Sequence, residues 1–208
     1  MDTLPLVIAN GWGCGISCYA VVLIAGVVGR TGAAETPEVL QRTDVLVVAG
    51  ILLVVEFVAD KISYVDSVWD SVHTVVRPLV AGAVGLAIVG DASGAEQVLA
   101  ATGTGGTALA SHLEKSGIRL GVNASPEPVT NAAVSLGEDG ILAVVVLLAW
   151  QHPWVAAAIA LVLLVTGAAL AMFLVRRARR GWTRFRGWLG RVAGGGLPAG
   201  GDRSPGQP

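Results

Sequence analysis

The segment EFVADKISYVDSVWDSVHTVVR, residues 56–77, constrains this chain more than any other, because it sets four carboxylates, a lysine, a histidine and an arginine between two strongly apolar runs. Asp66, Asp70, His73 and Arg77 recur at helical spacing, so a helix here carries them on one narrow stripe. The chain as a whole is 53% hydrophobic and only 14% charged, with a mean hydropathy of +0.68. That is the composition of a polytopic membrane protein. Ionisable groups in such a setting are costly to desolvate and turn toward one another or toward water, which marks a functional region. A net charge of −1 gives no hint of a nucleic-acid partner, and none is expected.

The apolar runs predict an all-α bundle of about six membrane-crossing helices, over 6–28, 45–59, 66–89, 98–116, 131–150 and 154–175, given that a crossing needs ~20 residues. The start carries no basic signal-like region, so the first run is expected to be retained as a span. Within it, GWGCGISCYA is rich in small residues: Gly11, Gly13 and Gly15 permit close approach, and Ser17 and Tyr19 supply hydroxyls. Cys14 and Cys18 stand one helical turn apart, a spacing unsuited to an unstrained disulfide. Span two runs into Glu56, Asp60 and Lys61, which are expected to face the bundle interior or a wet vestibule. Asp66 is a plausible N-cap for span three, and Pro78 is expected to kink it.

Span four contains ATGTGGTALAS, which suits tight packing better than a lipid-facing surface. It ends in His112, Glu114, Lys115 and Arg119. The stretch GVNASPEPVTN then carries Asn123, and its prolines Pro126 and Pro128 forbid a continuous helix. Span five restarts near Asn131 with Ser135, Glu138 and Asp139 in its first turns. Trp150 and Trp154 flank the turn into span six like interfacial anchors.

Three parts are thus expected: a transmembrane domain over 1–175, a basic amphipathic helix over 176–191 and a disordered tail over 192–208. In the second, arginines alternate with Trp182, Phe185 and Trp188, which suits contact with anionic lipid. The positive-inside rule puts this segment in the cytoplasm. Six crossings then place both termini there, in a bacterial inner membrane, with Lys61, Arg77, Lys115 and Arg119 on the cytoplasmic side. A homo-oligomer is left open.

The two polar stretches also resemble each other. Asp60-Lys61 aligns with Glu114-Lys115, and Asp66, Asp70 and His73 align with Asn131, Ser135 and Glu138. Because each unit is a pair of spans, this predicts a parallel two-hairpin repeat about an axis along the membrane normal. Acids outnumber fixed bases in these stretches, so carboxylates are expected to be protonated or to hold a cation. Asp66, Asp70, Glu138 and Asp139 are candidates for a divalent cation, since such ions take oxygen ligands. The bland alternative is that the charges pair among themselves, Asp60 with Arg119 or Asp66 with Lys115, and lock the bundle. Three classes of function follow: a transporter or channel for a small ion or polar solute, a metal-dependent enzyme acting on a phosphorylated lipid, and a non-catalytic scaffold. Intramembrane charge, small midspan residues and the repeat favour the first.

At EFVADKISYVDSVWDSVHTVVRP and VNASPEPVTNAAVSLGED the chain resembles a family of bacterial integral membrane proteins known as domain of unknown function 4126. The likeness covers about 11–175. It implies an inner-membrane location and carries no activity with it. In the first span the family pattern has a serine and an asparagine near a glycine, where this chain has Cys14, Gly15, Ile16 and Ser17.

Overall fold

The computed structural model describes residues 3–60, 62–123 and 128–194; among these, the side chains of 63, 64, 66, 67, 120–123, 128–132, 134 and 178–194 lie outside the description. The elements are α1 (Thr3–Arg30), a 3-10 turn (Glu38–Gln41), α2 (Thr43–Ala59), α3 (Ser63–Val89), α4 (Gly94–Asn123), α5 (Pro128–Gln151) and α6 (Pro153–Gly194). No strand occurs among the described residues. Three helical segments are long and apolar enough to cross a membrane: Thr3–Arg30, Val68–Val89 and Pro153–Arg177.

The first of these is not one straight rod. Ser17 has φ −152° and ψ 105°, an extended residue in the middle of a helix. Eight residues of straight helix would separate Gly13 from Val21 by about 12 Å, yet a Cβ built on Gly13 would stand only 2.9 Å from Val21 Cγ2. Farther from the break, Leu6 lines the same cavity as Ala33, Ala34 and Glu35. α1 is therefore a helical hairpin whose tip is Ser17. The Ser17 hydroxyl caps the returning arm, accepting the Ala20 backbone N–H at 3.3 Å. The expected single crossing over 6–28 is corrected accordingly: its two arms begin and end at the same end of the bundle.

The other helices pack around this hairpin with alternating sense. α4 runs beside the first arm in the same direction, so that Gly11 meets Thr104 and Thr107 while Gly15 meets Ser111 and His112. α3 is antiparallel to α4, with Gly85 on Ala100 and Asp70 on Ser116. α5 descends past Gly13 at Leu142 and Val146 and reaches Leu6 at Trp150. α6 returns along α4, bringing Gly167 against Glu114 and Ala171 against Gly117. The start of α1 thus shares one end with Glu35, Ala92 and Pro153, while α6 leads away toward the other. The pairs α2–α3 and α4–α5 run in matching senses, as in any bundle of alternating helices.

One local expectation differs from the fold: α3 starts at Ser63, so Asp66 lies inside its first turn and Ile62 is the N-cap. Pro78 lies within α3, where neighbouring Gly105 leaves room for its carbonyl. The basic segment 176–191 is helical, within an α6 of 42 residues. The tail over 195–208 and Lys61 lie outside the described residues.

Burial is inverted relative to a water-soluble fold. Arg77 (0% exposed), Arg119 (2%), Glu56 (2%) and Asp60 (3%) are inside. Val47, Ile51 and Val54 on α2, and Val162, Val165 and Phe173 on α6, are exposed. Apolar area of this extent facing outward, with charges satisfied internally, is the pattern of a membrane protein.

Candidate functional site at the tip of the broken helix

The break at Ser17 leaves two kinds of helix end in the middle of the bundle: the last carbonyls of the first arm and the first turn of the second. Side chains from three helices meet them with complementary charge. Arg77 on α3 donates through Nη1 to the Gly15 carbonyl at 3.0 Å. Lys115 on α4 donates to the Ile16 carbonyl at 3.2 Å, and Ser111 Oγ to the Trp12 carbonyl at 2.8 Å. On the other side of the break, the Ser17 hydroxyl donates to Glu56 Oε2.

Two ionic groups branch from this point. In the first, Arg77 Nη2 donates to Glu56 Oε1 at 2.7 Å, and Asp70 Oδ1 lies 3.6 Å from Arg77 Nη1. In the second, Asp60 Oδ2 accepts from Lys115 at 2.9 Å and from Arg119 at 3.3 Å. Arg119 also reaches Glu138 Oε2 at 3.2 Å. Asp60 belongs to the connection between α2 and α3; burial pushes its carboxyl up, but Lys115 and Arg119 outweigh that and hold it below its ordinary value.

Hydrogen bonding assigns His112 as neutral. Arg77 Nη1 stands 2.6 Å from His112 Nδ1; a guanidinium can only donate, so Nδ1 is the acceptor and the proton sits on Nε2. That N–H faces the Asp70 carbonyl and Thr74 Oγ1, each at 3.1 Å. His73 carries a proton on Nδ1, which is 2.8 Å from the Trp69 carbonyl and must donate to it, and its Nε2 stands 3.0 Å from the Tyr19 hydroxyl. The ring also stacks on Trp69, with centroids 4.6 Å apart.

Of the residues singled out in the sequence, Glu56, Asp60, Asp70, His73, Arg77, His112, Lys115, Arg119 and Glu138 come together in this region, and Ser135 is buried on α5. Glu114 is half-buried, joins neither ionic group and lines a cavity instead. Asp139 is half-buried beside it in sequence. Lys61 and the side chains of Asp66, Asn123 and Asn131 lie outside the described residues. The pair Asp60–Arg119 forms as the locking alternative requires. The aligned residues of the two stretches do not act alike: Asp60 is doubly paired, whereas Glu114 is not. Among the described residues no three His, Cys, Asp or Glu side chains converge to hold a metal ion: Asp70 is turned to Arg77 and Ser116, and Glu138 to Arg119. Cys14 and Cys18 are buried free thiols.

Sequence reasoning missed the main-chain partners, namely the carbonyls of Trp12, Gly15 and Ile16. It also missed Trp69, Thr74, Ser111 and Ser116. The Gly-rich GWGCGIS stretch was the available signal, because repeated glycines let α4 come within reach of the α1 backbone: a Cβ on Gly15 would stand 2.6 Å from Ser111 Cβ.

No curated protein and no solved structure matches the chain. The family model for the domain of unknown function DUF4126 matches residues 4–177. The resemblance seen at the two polar motifs therefore extends across the hairpin, the ionic groups and α6 as far as its first arginines, and the chain belongs to the DUF4126 family.

Proposed function

We propose that this protein is a multi-pass transporter or channel of the bacterial cytoplasmic membrane, moving a small ion or small polar solute past the interrupted helix α1. The observation that carries this reading is the pairing of the two helix ends at Ser17 with charge: Arg77 and Lys115 on the carbonyls of one arm, Glu56 on the start of the other. Discontinuous helices with charged groups at their inner ends are the device by which many transporters build a site in the bilayer, where irregular backbone is tolerated only inside protein or beside a wet cavity. A bundle locked by ordinary packing has no need of an interrupted helix.

The arginines that begin at Arg176 put the far end of α6 in the cytoplasm by the positive-inside rule. Because the hairpin enters and leaves at one end, α1 adds no crossing, and the N-terminus then lies outside. This replaces two cytoplasmic termini with one on each side and reduces the crossings to five, α2 to α6. The basic end of α6 meets anionic lipid at the cytoplasmic face.

The test is reconstitution in liposomes that hold a pH-sensitive dye, with a potassium diffusion potential imposed by valinomycin and with small cations exchanged outside. The expected result is a proton or cation flux above that of empty liposomes, lost in Asp60→Asn and Lys115→Met. Flux equal to that of empty liposomes under every gradient would sink the reading.

A further inference from the structure

Glu114 is the one interior acid that both ionic groups pass by. It is half-buried on α4 and lines a mostly apolar cavity between α1, α4, α5 and α6. Its Oε2 is closed off from solvent and has no hydrogen-bond donor. The donors among the other lining residues are directed elsewhere. Ser111 Oγ donates to the Trp12 carbonyl at 2.8 Å, Thr166 Oγ1 to the Val162 carbonyl at 2.8 Å, and Lys115 Nζ to Asp60 and the Ile16 carbonyl. Trp12 Nε1 is buried without a partner, so it does not serve Glu114. Where the carboxyl lies against α6, at Gly167, it meets the middle of a helix, whose backbone N–H groups are already bonded to helix carbonyls.

Counter-charge is spent in the same way. Lys115 and Arg119 meet Asp60 and Glu138, so the neighbouring group sets two cations against two carboxylates without Glu114. Of the elements packed around it, α1 offers Trp12 and Ile16 and α6 offers Thr166 and Gly167, none of them ionisable. On its own helix Lys115 follows it directly, and consecutive residues of a helix do not face each other. From α5 the facing group is Glu138, of like charge. A carboxylate at Glu114 would therefore be a third acid on two engaged cations, in apolar surroundings. Such a group neutralises instead of keeping its charge. A metal ion or an organic cation needs space beside the oxygen it binds, and Oε2 has none; a proton needs no space.

We propose that Glu114 is a proton-binding site, an uncharged carboxylic acid at neutral pH that exchanges its proton with solvent through the cavity it lines. Ionisable side chains inside a membrane serve proton relays in pumps and transporters. Loss of the proton leaves a third carboxylate competing for Lys115, which holds the Ile16 carbonyl at the break in α1, and this ties the proton to the interrupted helix. As the proton coupled to transport, the assignment rests on the transport reading above; as a binding site it does not.

The experiment is infrared difference spectroscopy of the full-length protein in nanodiscs, titrated from acid to alkaline pH in light and heavy water. At neutral pH the wild type should show a free-acid C=O band that shifts down in heavy water and gives way to carboxylate absorption at alkaline pH. Glu114→Gln should remove that component, and Glu35→Gln, at an exposed acid, should keep it. Absence of a free-acid band at neutral pH overturns the proposal without any variant, and so does a band unchanged in Glu114→Gln. A glutamine amide has the shape of the neutral acid, so Glu114→Gln should melt no lower than the wild type at neutral pH. Failure to fold, or a lower melting temperature, marks a charged and paired carboxylate and overturns the proposal. In the liposomes, proton flux in Glu114→Gln should fall to the level of empty vesicles. If the spectra are as stated and wild-type liposomes carry no flux, the transport reading fails and the proton site stands. Wild-type flux in Glu114→Gln overturns the coupling role.

Discussion

Arg77 reaches across from α3 to the Gly15 carbonyl at 3.0 Å, so a fully buried guanidinium holds the backbone where α1 is about to break. The same group is tied to Glu56 at 2.7 Å and to His112 Nδ1 at 2.6 Å. Its planar fork suits several acceptors in fixed directions, which a lysine ammonium does not reproduce. Arg77→Met should leave Glu56 as an uncompensated buried charge and lower stability by about 3–5 kcal/mol. Adding Glu56→Gln to Arg77→Met should recover part of that loss. Unfolding of the three variants in mixed detergent micelles checks this, and strictly additive losses would contradict the pairing.

The hairpin requires glycine where α4 crosses it. A Cβ on Gly15 would stand 2.6 Å from Ser111 Cβ and 2.8 Å from the His112 backbone nitrogen. Gly15→Ala should therefore cost about 1–3 kcal/mol through overpacking. Gly50 on α2 meets nothing within 4 Å, and Gly50→Ala should be neutral or stabilising by about 0.5–1 kcal/mol, as helix propensity dictates. Melting temperatures of the two variants in one detergent give the comparison, and equal effects would mean that α1 and α4 are not in this contact.

His112 serves Arg77 as an acceptor. His112→Asn can keep an acceptor near the position of Nδ1, whereas His112→Leu leaves a buried guanidinium N–H short of a partner. The leucine variant should lose about 1–3 kcal/mol more than the asparagine variant. Nitrogen-15 spectra of the native protein should report the tautomer protonated at Nε2 for His112 and at Nδ1 for His73. The reverse assignment at either ring would refute the bonding given above.

Topology separates a hairpin from a crossing. In a background with Cys14 and Cys18 replaced by alanine, single cysteines at Glu35, Asp91 and His152 should react with an impermeant maleimide from outside intact cells. An N-terminal epitope tag should be reachable from the same side, and a C-terminal tag only after permeabilisation. An N-terminal tag protected like the C-terminal one would restore a full crossing by α1.

Much of the site was legible before any fold was known. Burying charge in an apolar chain is costly wherever it happens, so Glu56 and Asp60 could be assigned to the interior or a wet vestibule from their setting alone, whereas Arg77, Lys115 and Arg119 were placed only on the cytoplasmic side and prove to be buried. Helical periodicity then put Asp70, His73 and Arg77 on one face. Which acid meets which base was legible for Asp60 and Arg119 but not for the rest, because partners such as Asp60 and Lys115 are 55 residues apart and several pairings satisfy the same charges.

The sequence by itself determined the helical class, the apolar surface and the inventory of interior charges, since these follow from composition, period and the cost of desolvation. Only the tertiary structure decided that α1 folds back at Ser17. Its apolar run is long enough to cross a membrane, and the break is made by one extended residue that packing with α4 and α5 stabilises. The tertiary structure also decided that Glu114 stays unpaired where its counterpart Asp60 is held twice. Glu114 lies against Gly167 of α6, a contact between distant segments to which hydropathy and spacing are blind.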